Sequence, residues 1–244
     1  MLLLPVALPA VAAATIFEVD DRVPAQKGEF AAVGTLSGGA NVVYGSGFLI
    51  DPCTVLSARH VGGSVARIVG SELTFRSGTH DSTGQIIAAG AFQSSSSESR
   101  VIAQDWMVVR LRKCLGYQLG YFRLSSAEVI FAKREFKIAD VGFPRDHPLT
   151  GGPTIDPHCR LLWIARGEIA HDCATLPGNS GGPLLVRSGK DWVAIGINAA
   201  GKDNPLPQPF QANTPNIAVD IGHLLSNICS QIGTDLKNPL CANH

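Results

Sequence analysis

Residues 177–186 read Pro177-Gly178-Asn179-Ser180-Gly181-Gly182-Pro183-Leu184-Leu185-Val186, a glycine-rich turn that holds one serine and runs into an apolar strand. A serine hydroxyl is a weak nucleophile until a base removes its proton, and the oxyanion formed on an attacked carbonyl needs fixed hydrogen-bond donors. Glycines on both sides of Ser180 allow main-chain N–H groups to turn toward such an oxygen and let another chain come close. The stretch meets both requirements, although taken alone it also fits an ordinary glycine-rich turn.

A base for Ser180 is expected on a histidine at the end of a strand. Gly45-Ser46-Gly47-Phe48-Leu49-Ile50, followed by Val55-Leu56-Ser57-Ala58-Arg59-His60, reads as a hairpin that delivers His60 to a sheet edge. Gln104-Asp105-Trp106-Met107-Val108-Val109-Arg110-Leu111 sets Asp105 at the entrance to an almost wholly apolar strand, where a carboxylate can lie buried behind an imidazole. Alone, His60 would pass for a core or surface residue and Asp105 for a turn former. In the order His, Asp, Ser the three form a candidate triad of base, orienting group and nucleophile.

The rest of the chain shows many short apolar stretches broken by Gly, Pro, Ser and Asn, such as Val42 to Ile50, Leu161 to Ile169 and Trp192 to Ile197. That is an all-β pattern of sandwich or barrel type. One helix is expected at about 220–232, where Ile221, Leu224, Leu225, Ile228 and Ile232 make an apolar stripe at helical spacing. Residues 93–100 and the proline-rich 202–215 read as solvated surface connections.

With 244 residues, 45% of them hydrophobic and 16% charged, the chain can bury a sizeable core. Lys plus Arg equals Asp plus Glu at 20 each, so no net field draws it to nucleic acid, anionic lipid or an acidic substrate. Residues 2–14 form an apolar run ending in Ala12-Ala13-Ala14, which reads as a signal peptide too short to span a bilayer; no Lys or Arg precedes it, and a buried N-terminal strand is the other reading. The even set Cys53, Cys114, Cys159, Cys173, Cys229 and Cys241, with no C-x-x-C pair, favours disulfides formed in an oxidising compartment. A zinc site built from His158-Cys159 and His171-Asp172-Cys173 matches no common spacing, and no metal is expected.

These segments together resemble the chymotrypsin-like serine peptidases, and more closely their bacterial glutamyl-endopeptidase-like and heat-shock-protease-like branches. The resemblance rests on Asp20-Asp21-Arg22, G-S-G-F-L-I, S-A-R-H, D-W-M-V-V-R-L, V-G-F-P-R-D at Val141 to Asp146, H-D-C-A-T-L-P-G-N-S-G-G-P and A-I-G-I-N. It implies two six-stranded antiparallel β-barrels with the active site between them, the first at about 28–118 and the second at about 119–219. His60 and Asp105 come from the first, Ser180 from the second, and the N–H groups of Gly178 and Ser180 form the oxyanion hole. Together with the apolar run 2–14 and the cysteines it leads to the expectation of an exported endopeptidase, secreted or periplasmic, acting on proteins or peptides; the triad chemistry calls for no cofactor, and the absence of a partner module points to a monomer.

The resemblance also assigns Ala174, Thr175, Asn198 and Gly201 to the primary substrate pocket. Ala174 stands where trypsin-type enzymes carry an Asp, and Asn198 where glutamyl endopeptidases carry a His, so a preference for uncharged side chains is expected. Two departures stand out. His60 is followed by Val61 rather than cysteine, and Asn179 replaces the Asp that animal zymogens use to capture a new N-terminus. The expected disulfides are Cys53–Cys114, from the resembled fold, Cys159–Cys173, flanking a hairpin, and Cys229–Cys241, tying down the tail. Two other classes compete: an exported two-barrel binding protein without catalysis, and an esterase, which the absence of a G-x-S-x-G elbow and of alternating helices disfavours.

Overall fold

Alternation of inward apolar and outward polar side chains is plainest in Glu72–Ser77 and His80–Ala89, where burial switches almost residue by residue, as a half-buried strand requires. The computed structural model describes residues 15–38, 43–63, 69–91, 102–132, 137–148, 151–201, 204–211 and 213–232. The expected signal segment 2–14, the stretch 93–100 and Cys241 lie outside them.

Two short strands come first, β1 (Thr15–Phe17) and β2 (Val23–Pro24). The next six are β3 (Val33–Ser37), β4 (Val43–Asp51), β5 (Thr54–Ser57), β6 (Glu72–Ser77), β7 (His80–Ala89) and β8 (Met107–Leu111). They close into an antiparallel barrel in the order β3-β4-β5-β8-β7-β6 around Leu36, Phe48, Phe75, Ile86 and Val109. After α1 (Gly116–Leu119), β9 (Arg123–Leu124) and α2 (Ala127–Ala132) the chain enters the second barrel. Its strands are β10 (Lys137–Gly142), β11 (Thr154–Ala165), β12 (Glu168–His171), β13 (Pro183–Ser188), β14 (Asp191–Ala200) and, after β15 (Asn204–Gln208), β16 (Asn216–Asp220). They run β10-β13-β14-β16-β12-β11, and β11 returns to β10. The fold is thus all-β, two closed six-stranded antiparallel barrels followed by α3 (Ile221–Ile232).

In α3, Ile221, Leu224, Leu225 and Ile228 are all buried against the core, as their spacing predicts, each burial worth about 1.5–3 kcal/mol. Disulfides join Cys53 to Cys114 and Cys159 to Cys173. Cys229 is also disulfide-bonded, and its expected partner Cys241 lies outside the described residues. Because Cys159 and Cys173 bind each other, neither is available to a metal.

One reading of the sequence needs correction. Residues 202–215 were expected to be a solvated connection, yet Asn204–Gln208 is a strand, paired in parallel with Thr15–Phe17. Pro205 and Pro207 have no N–H to donate, which bars this segment from the middle of a barrel but leaves it free to pair in a separate two-stranded ribbon.

At the end of β12 the imidazole of His171 is fully buried, and neither ring nitrogen has a hydrogen-bond partner among the described residues. Burial therefore holds its pKa down, from 6.5 to about 3. The folded state keeps this ring neutral while the unfolded chain protonates it, so stability present above pH 6.5 is lost as pH falls toward 3, by on the order of a few kcal/mol. His171→Leu is expected to lose less of its thermal midpoint than the wild type between pH 7 and pH 4. Equal losses in parallel melts would contradict this.

Candidate active site

Register places the first two site residues together. In the antiparallel pair β5–β8, Ser57 faces Met107, so the residues just after β5 lie beside those just before β8. His60 sits on a 3-10 turn, Arg59–Gly62, and Asp105 directly follows another, Ile102–Gln104. The Asp105 carboxylate holds His60 at two points. Its Oδ1 accepts the His60 main-chain N–H at 2.9 Å, and its Oδ2 lies 2.6 Å from Nδ1. Asp105 is 2% exposed, so its carboxylate is shielded from water, and a carboxylate at Nδ1 fixes the tautomer that leaves Nε2 free to accept a proton. That Nε2 is buried and has no hydrogen-bond partner among the described residues.

Ser180 arrives on the segment between β12 and β13, held by contacts from the first barrel. The Ser46 N–H of β4 donates to the Ser180 carbonyl at 2.8 Å, and the Ser46 hydroxyl donates to the Gly178 carbonyl at 2.6 Å while accepting the Phe143 N–H at 2.9 Å. Ser57 in turn donates to the Ser46 carbonyl at 2.7 Å. Gly178 and Gly181 have φ of +109° and +84°; a Cβ on the first would strike the Phe143 carbonyl, and on the second Ser46 and Ser57. Only glycine fits there. The N–H groups of Gly178 and Ser180 donate to no acceptor among the described residues, which leaves both available to an oxyanion. No hydrogen bond joins the Ser180 hydroxyl to His60 among the described residues, a contact that commonly tightens only with substrate in place.

The residues assigned to the primary pocket are distributed unevenly. Ala174 and Thr175 are almost fully buried; Ile16 of β1 packs on Ala174 and Leu176, and the Thr175 N–H donates to the Thr15 carbonyl at 3.2 Å. Asn216 ties this corner together by donating to the carbonyls of Thr15 and Cys173, both at 2.8 Å. Gly201, partly buried, directly follows β14. Asn198, by contrast, is 3% exposed and turns its amide inward, donating to Asp140 Oδ1 at 3.1 Å.

Sequence reading did not single out Ser46, Asp140 or Thr15–Phe17. The signal for Ser46 was a polar residue between two glycines in an apolar strand; for Asp140 it was a carboxylate inside Lys137-Ile138-Ala139-Asp140-Val141. Asp140 is fully buried, and burial pushes its pKa up to about 7 against the lowering effect of the hydrogen bonds from Asn179 and Asn198. Among the described residues no cluster of three or more His, Cys, Asp or Glu could hold a metal, and no helix is long and apolar enough to cross a membrane.

Comparison with known proteins gives three findings. The family model described as Trypsin matches residues 19–223. Among solved structures the chain is similar to neuropsin, a serine protease expressed in the limbic system of mouse brain, with a TM-score of 0.62 at 17% identity over 86% of this chain and 98% of that one. At that identity the likeness speaks to the fold. No curated protein matches.

Proposed function

The chain belongs to the trypsin family and is a serine endopeptidase, and on that premise we propose that His60, Asp105 and Ser180 are its triad, cleaving peptide bonds through an acyl-enzyme. The observation that carries the reading is the two-point hold of buried Asp105 on His60, which presents as the base an Nε2 with no hydrogen-bond partner among the described residues. His60 takes the Ser180 proton as the hydroxyl attacks the carbonyl carbon, then passes it to the leaving amine. Asp105 stabilises the imidazolium formed in between. The N–H groups of Gly178 and Ser180 receive the oxyanion. Water then hydrolyses the ester through the same base. The test is digestion of a denatured protein mixture by the purified chain: new peptide termini are expected with the wild type and none with Ser180→Ala.

Export, to the periplasm or the medium, is supported by the disulfides Cys53–Cys114 and Cys159–Cys173 together with the apolar run 2–14. Kinship with the bacterial branches is supported by Val61 after the histidine and Asn179 before the serine.

For the primary pocket we propose uncharged, small to medium substrate side chains on the acyl side of the scissile bond. Ala174 offers no counter-charge and packs against Ile16, and the Asn198 amide is taken by Asp140. Burying an unpaired substrate charge costs several kcal/mol, on the order of a hundredfold or more in rate. A peptide library is expected to be cut mainly after residues such as Ala, Val or Thr; cleavage chiefly after Arg and Lys, or chiefly after Glu, would contradict this pocket.

A further inference from the structure

Behind the nucleophile segment lie two buried carboxyl groups that take no part in the chemistry described so far. Asp140 on β10 and Asp156 on β11 are cross-strand neighbours. Each grips one end of residues 174–180. Asp156 Oδ2 accepts the Ala174 N–H at 2.7 Å, and its Oδ1 accepts the His158 N–H at 3.2 Å. Asp140 Oδ2 lies 2.5 Å from the Asn179 amide and its Oδ1 3.1 Å from that of Asn198. Both asparagines are also wired to the serine through the main chain. Asn179 precedes Ser180 and its carbonyl accepts the Gly182 N–H at 2.8 Å; the Asn198 carbonyl accepts the Gly181 N–H at 2.7 Å.

We propose that Asp140 is a positioning residue, the hub of an Asp140–Asn179–Asn198 cluster that fixes the main chain of Gly178–Ser180 and so aims both the nucleophile and the oxyanion donors. The inference rests on the triad reading. Animal relatives place a carboxylate beside the serine and order the loop when a freed α-amine reaches it; here the carboxyl sits on a neighbouring strand of the same barrel and meets an amide. The anchor is therefore complete within the second barrel and waits for no chain cleavage.

The chemistry of the cluster explains why its members are amides. Asn179 Oδ1 is buried without a partner among the described residues as the amide stands, and rotating that amide would turn it toward Asp140. A neutral Asp140 can then donate to Asn179 and still accept from Asn198, whereas a charged one accepts from both. Desolvation favours the neutral form, as does the facing Asp156, while the hydrogen bonds from Asn179 and Asn198, and Arg22, oppose it. Either state keeps both amides held.

The test compares wild type, Asp140→Ala, Asp140→Asn and Asn198→Ala as purified full chains. The readouts are the rate of labelling by a fluorophosphonate probe, kcat and KM on a peptide substrate, and the thermal unfolding midpoint. Asp140→Ala is expected to slow labelling and kcat by on the order of a hundredfold, the effect of displacing reacting groups by about 1 Å, with KM within about threefold. Asp140→Asn, which retains one acceptor and one donor, is expected to recover at least about tenfold of that loss. Should Asp140→Ala not fold, Asn198→Ala removes one arm only and is expected to slow labelling by about fivefold or more. A folded Asp140→Ala that labels at the wild-type rate overturns the proposal, as does an Asp140→Asn no faster than Asp140→Ala, or, where Asp140→Ala fails to fold, an Asn198→Ala at the wild-type rate. A wild-type chain that takes no label overturns the triad reading and this role with it, an outcome distinct from the others.

Discussion

Ser180→Ala is expected to lower turnover of a peptide substrate by about a million-fold, and His60→Ala by a similar factor, because the two act as one unit and losing either ends proton transfer to the hydroxyl. Neither change should unfold the chain. The contacts that hold Ser180 in place run through its main chain, to Ser46, and the loop is braced from behind by Asp140 and Asp156. The double variant Ser180→Ala/His60→Ala should be no slower than either single one. Comparison of kcat among the four chains, with circular dichroism to establish folding, checks this; a Ser180→Ala chain that retains even a hundredth of wild-type turnover, with contaminating proteases excluded, contradicts the assignment.

Asp105→Asn is expected to cost on the order of ten-thousand-fold in kcat while leaving the barrel intact. The carboxylate accepts from His60 with both oxygens, one from the main-chain N–H and one at Nδ1. An amide has a single acceptor. If its oxygen keeps the main-chain bond, its NH2 faces Nδ1, and the imidazole must present a lone pair there and carry its proton on Nε2, the nitrogen that has to accept from Ser180. The loss should appear in kcat with little change in KM, since Asp105 is buried and does not reach the substrate. A loss of less than about tenfold in an enzyme assay at neutral pH would show that the imidazole is oriented by something other than Asp105.

The parts of the molecule legible in the sequence were those whose physics is local. His60 and Asp105 flank strands with strong apolar patterns, Ser180 lies among glycines that a positive φ demands, and the stripe from Ile221 to Ile228 repeats at the helical period. The parts that escaped notice act between segments far apart in the chain. Ser46 reaches Gly178 across 132 positions, and Asn216 reaches Thr15 across 201. No window of neighbouring residues carries such a signal. Asn204–Gln208 was hidden for the opposite reason: its prolines advertise a loop, and only the partner strand Thr15–Phe17 makes it extended and paired. Asp140 has the composition of a misplaced charge in an apolar strand, and its purpose becomes visible only when β10, β13 and β14 bring Asn179 and Asn198 around it.

The most direct test of the account is reaction of the purified chain with a fluorophosphonate, followed by proteolytic mapping of the labelled residue by mass spectrometry. One label is expected per chain, on Ser180, and it should be lost in His60→Ala, whose serine has no base. A label on another residue, or proteolysis that continues in a chain whose Ser180 takes no label, would contradict it.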